Sequence, residues 1–78
     1  MKFVRKVDNV WHDSDKELPP ISTKVEFMDK NGNIHNGGIQ VDMAYFVYTE
    51  AGFSSFSEMI KWRFIPGQRY IMYENLKF

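Results

Sequence analysis

Residues 25 to 35 read VEFMDKNGNIH, and this stretch decides the fold. Asn31-Gly32 between two short apolar runs predicts a β-hairpin with a two-residue turn, because such turns need positive φ at both central positions. With Asn31-Gly32 as the turn, Lys30 pairs with Asn33, Met28 with His35 and Phe27 with Asn36. Alternation then puts Val25, Phe27 and Ile34 on one face, with Glu26, Met28 and His35 on the other.

Outward from the hairpin, short strand patterns recur. Gly37-Gly38 interrupts the return strand and predicts a bulge, a bend or a close backbone approach. Met43–Thr49 is dense in Tyr, Phe and Val and reads as a strand with both faces at least partly covered. Glu50-Ala51-Gly52 is a turn. Ser55-Phe56-Ser57-Glu58 matches a capping box, which predicts one helical turn over Ser55–Met59. A strand then runs to Ile65, since Ile60-Lys61-Trp62-Arg63-Phe64 alternates. Lys2–Val7 and Arg69–Tyr73 complete the set. The expected fold is all-β with one short helical turn: a small antiparallel barrel or strongly curled sheet of five to six strands.

Seventy-eight residues make a single domain over 1–78, and the absence of cysteine excludes disulfides and thiolate metal sites. Stability must then come from packing, and 17% aromatic content suits that need. Ten basic residues balance ten acidic ones, which disfavours a generic electrostatic grip on nucleic acid. No signal-peptide pattern or bilayer-length apolar run occurs, so the expected location is cytoplasmic and no membrane association is expected.

Residues 11 to 20, WHDSDKELPP, invite two interpretations. His12, Asp13, Asp15 and Glu17 resemble a ligand cluster, but the glycine and distal glutamate of a calcium loop are missing. A zinc site would need more histidines than His35 can supply. The stretch reads better as a clasp: Trp11 and Leu18 enter the core, Pro19-Pro20 forces an extended exit, and the acidic middle stays in water. Trp62 and Pro66 form a second Trp-Pro pair later in the chain.

Trp11, Leu18, Pro19, Val25, Asp29, Gly32, Trp62 and Pro66 together resemble a small domain-of-unknown-function family frequent in phages and prophages. That resemblance covers about residues 10 to 66. It implies a β-rich fold in a mobile-element setting and no established activity. Lys61 stands where the family usually has His, and residues 67–78 run past its usual end.

Catalysis finds little support. His35 beside Glu26 on the outer hairpin face is the nearest approach to an acid–base pair, and no glycine-framed nucleophile is present. No cofactor is implied. Thirteen aromatics and five methionines exceed what one small core readily hides, which points to a non-enzymatic protein that binds another protein. Tyr45, Tyr48, Lys61, Arg63, Arg69, Tyr70 and Tyr73 are the expected binding surface. The same surplus would serve a homodimer. The alternative is a small barrel that stacks single-stranded nucleic acid on these aromatics between basic residues.

Overall fold

The computed structural model describes residues 2–40, 43–50 and 52–70. They form eight strands: β1 (Lys2–Phe3), β2 (His12–Asp13), β3 (Glu17–Leu18), β4 (Val25–Asp29), β5 (Ile34–Gln40), β6 (Met43–Thr49), β7 (Gly52–Ser55) and β8 (Met59–Arg63). Six of them make one sheet in the order β2-β8-β4-β5-β6-β7, while β1 and β3 pair in parallel beside it. The ladder is antiparallel throughout and does not close into a barrel. None of the described helices is long and apolar enough to cross a membrane.

The hairpin forms where its residues predict, but with a different turn. Phe27 faces His35 and Met28 faces Ile34, one position away from the two-residue register. Among the described non-glycine residues only Ser22 has positive φ, so Asn31 cannot occupy a turn that requires it. Instead Gly32 N–H donates to Asp29 O at 3.0 Å, Asp29 N–H donates to Asn33 O at 3.0 Å, and Gly32 takes φ +85°. Lys30–Gly32 is therefore a three-residue loop with glycine at its left-handed position. Asp29 selects it, since Asp29 Oδ1 accepts the backbone N–H groups of Asn31 and Asn33, both at 2.9 Å. The slip turns His35 to the side of Phe27 and leaves Ile34 exposed on the opposite face.

Gly37 and Gly38 are places of close approach. A Cβ on Gly37 would lie 1.8 Å from the Tyr48 carbonyl oxygen, and one on Gly38 would lie 2.8 Å from that of Thr23. The second approach arises because Ser22, at φ 59°, turns the chain after Pro19-Pro20 so that Ser22 N–H donates to Ile39 O at 2.7 Å.

The helical turn is a 3-10 turn over Phe56–Glu58, capped by Ser55, whose hydroxyl accepts Ser57 N–H at 3.3 Å. Strand β8 ends at Arg63 rather than Ile65. Residues 68–70 are irregular, so the strand expected over Arg69–Tyr73 does not begin there, and its remaining positions lie outside the described residues. The N-terminal strand is shorter than Lys2–Val7.

The core lies on the face of the sheet that carries Val25, Phe27, Ile39, Val47 and Trp62, all fully buried, and is closed by Phe56, Met59 and Phe64. Each such side chain contributes roughly 1.5–3 kcal/mol by leaving water. Trp62 is central. Its indole N–H donates to Glu17 O at 3.0 Å, and its ring meets Phe64 edge-on at 5.3 Å.

Candidate functional site

Strand β8 lies between β2 and β4, and the ladder sorts their side chains into two faces. His12, Trp62, Phe27 and His35 stand opposite one another on the core side. Asp13, Lys61, Met28 and Ile34 form a row on the other side, beside Arg63, Glu26 and Asn36. This second face is the open one: Ile34 is 44% exposed and Lys61 and Arg63 are half-buried.

Trp11 precedes β2 and, by alternation with the buried His12, belongs to the open face. Arg63 Cζ lies 4.5 Å from the Trp11 ring centroid and Lys61 Nζ lies 5.3 Å from it. Two cations thus hold one indole, each contact worth about 0.5–1 kcal/mol at an exposed site. Arg63 Nε also donates to Glu26 Oε1 at 2.7 Å, which fixes the guanidinium. Farther along, Lys24, Asn36, Tyr48 and Glu50 line an open groove of about 540 Å³, where Asn36 N–H donates to Glu50 Oε2 at 3.1 Å. Charge alternates across this surface: Lys61, Arg63 and Lys24 are interleaved with Asp13, Glu26 and Glu50.

The expected clasp takes a different form. Leu18 packs against the core, Pro19 and Pro20 are fully buried, and Trp62 is the core's centre. Trp11, however, is only half-buried and lies outside the core cluster, while Pro66 is exposed and opens the turn in which Gln68 N–H donates to Ile65 O at 3.0 Å. The inward position beside Trp62 belongs to His12. It stacks on Trp62 with centroids 4.5 Å apart and planes 21° apart. The acidic middle of the loop does stay in water, with Asp13, Asp15 and Lys16 exposed, while His12 and Ser14 turn inward and are buried.

His12 is tied at both ring nitrogens: Nδ1 lies 2.9 Å from Glu17 Oε1, and Nε2 lies 2.9 and 3.0 Å from the two oxygens of Asp8. Burial opposes a charge on the ring, but the hydrogen bonds and negative charge of Glu17 and Asp8 outweigh it, raising the His12 pKa above its usual value. Because these carboxylates hold opposite edges of one imidazole, they do not converge on a point where a metal ion could sit. His35 pairs with Asp29 rather than Glu26, at 2.8 Å. That bond, with the turn N–H groups of Asn33 and Asn31, holds the Asp29 carboxyl below the usual carboxylate range.

Of the expected binding residues, Lys61 and Arg63 come together on the open face and Tyr48 lines its groove. Arg69 is exposed on the irregular segment after β8. Tyr70 is structural: its hydroxyl donates to Lys24 O at 2.6 Å and accepts Ile65 N–H at 3.0 Å, and its ring meets Phe64 edge-on. Burial pushes its phenol above the ordinary pKa. The side chain of Tyr45 and all of Tyr73 lie outside the described residues. Sequence reasoning missed Trp11 as a surface residue and Asp8 as a partner of His12. The available signal was the alternation Trp11-His12-Asp13, which sends Trp11 and His12 to opposite faces.

No family model, no curated protein and no solved structure matches this chain.

Proposed function

We propose that this chain is a non-enzymatic binding module that engages a protein partner through the open face of its sheet, with Trp11, Lys61 and Arg63 at the centre of the contact. The observation that carries this reading is the Trp11 indole gripped by two cations on the uncovered side of β8. Trp and Arg dominate the binding energy of protein interfaces. A ring already immobilised loses less entropy when a partner covers it. Met28 and Ile34 beside it add apolar area, and the interleaved charges suit a protein of mixed surface better than a polyanion. A phage or prophage setting for that partner rests only on the resemblance carried by Trp11, Leu18, Pro19, Val25, Asp29, Gly32, Trp62 and Pro66.

Affinity capture from host lysate, comparing the wild-type chain with Trp11→Ala and Arg63→Gln, tests the proposal. A specific protein should be retained by the wild type and lost by both variants, each of which keeps the wild-type far-UV circular dichroism. Retention by all three proteins would overturn the assignment of the face. Salt-dependent quenching of tryptophan by single-stranded oligonucleotides, without protein capture, would replace the proposal with the nucleic-acid reading.

A further inference from the structure

His12 is 7% exposed, with a carboxylate against each ring nitrogen and the Trp62 ring beneath it. A neutral imidazole has one N–H, so it can donate to only one of these carboxylates and would turn a lone pair toward the other. Only the imidazolium donates to both, and its charge also favours the face of Trp62. The three residues come from three places: Asp8 from the segment before β2, His12 from β2 and Glu17 from β3. We infer that Asp8, His12 and Glu17 form a pH-operated clasp, in which the protonated ring ties the segment before β2 to the sheet and loss of its proton releases that segment.

The two arms are unequal. Glu17 is held independently by the β1–β3 ladder and by the Trp62 N–H on its carbonyl. Asp8 lies outside any strand, and its side chain is 37% exposed. The neutral tautomer therefore keeps its N–H on Glu17, and the Asp8 arm opens. Among the described residues, the charged groups that face the ring are Asp8 and Glu17. From β8 it meets the uncharged rings of Trp62 and Phe64, while Lys61, Arg63 and Asp13 extend from the opposite side of the sheet. The raised pKa of His12 sets the direction. Stabilisation by the clasp is complete below the unfolded value of about 6.5 and is lost as pH rises through the higher folded value. The clasp is thus closed on the acidic side and opens toward alkaline pH. It stands whether or not the open face binds a protein.

Nuclear magnetic resonance on the intact chain tests this directly. The assigned His12 ring should titrate with a midpoint above about 6.5. The backbone amides of Asp8, Asn9 and Val10 should shift with the same midpoint while those of Glu17 and Leu18 hold. In Asp8→Asn the His12 midpoint should fall below that of the wild type, because one of the two carboxylates that favour the charged ring is gone. A His12 midpoint at or below the ordinary value, or amides at 8–10 indifferent to it, would overturn the clasp. The wild-type titration decides the matter even if a variant folds poorly.

Discussion

Replacing Trp62 by Phe isolates what the indole does beyond filling space. The six-membered ring of Phe can keep part of the stack on His12 and the edge contact with Phe64, but the N–H that donates to Glu17 O at 3.0 Å is lost. A stranded carbonyl costs about 1–3 kcal/mol, and the gap left by the missing half of the indole adds about 1 kcal/mol, for a total near 2–4 kcal/mol. Trp62→Ala removes the whole ring at about 3–5 kcal/mol and strands the same carbonyl. Set against roughly 4–12 kcal/mol for a domain of this size, that loss removes most of the stability. Trp11→Ala should cost only about 1–2 kcal/mol, because it removes half-buried area and two surface cation–π contacts. Urea titrations followed by far-UV circular dichroism rank the three, with an unchanged slope marking two-state behaviour. If Trp11→Ala costs more than Trp62→Phe, or Trp62→Phe lies within about 0.5 kcal/mol of wild type, the division into a core tryptophan and a surface tryptophan is wrong.

Gly37→Ala should cost at least about 3 kcal/mol in the same titration, because the new methyl meets a backbone oxygen that cannot move without parting β5 from β6. Gly32→Ala, with open space around it, should lose only about 1–2 kcal/mol of left-handed strain. Tyr70→Phe should cost about 1–2 kcal/mol, since it strands Lys24 O and Ile65 N–H together, and thermal melting of the variant checks it.

The strands were legible because their residues alternate and their breaks are chemically blunt. Gly37-Gly38 and the Ser55 cap announced themselves for that reason. Asn31-Gly32 taken alone places the hairpin register one position away from the pairing that forms. Asp29 at the first position and Gly32 at the fourth are the marks of a type I turn, and the aspartate's two backbone hydrogen bonds settle the choice. Trp11 departs from its expected place in the clasp for a different reason. Hydropathy assigns tryptophan to the interior and histidine to water, yet Asp8 and Glu17 neutralise the buried ring and so invert the preference at Trp11-His12. Asp8 stands four positions before that ring and outside residues 11–20, so the composition of that stretch alone does not reveal it. The all-β fold follows from the alternation, and of the two expected forms the chain takes the open sheet rather than the barrel: strand count does not determine closure, and among the described residues β2 and β7 lie at opposite edges.

The position of β8 between β2 and β4 also orders events in time. Strands β4 to β7 form a meander of neighbours that can pair as soon as they are made. Strand β8 must then return across 37 positions to bring Arg63 to Glu26, and across 45 to bring Trp62 to Glu17. Until it does, β2 lacks the strand it joins among the described residues, although it is synthesised before the meander. The β2 segment of a nascent chain therefore waits, with its histidine unpacked, for nearly the last of the described residues. Long-range closure of this kind slows folding more than the size of the domain would suggest.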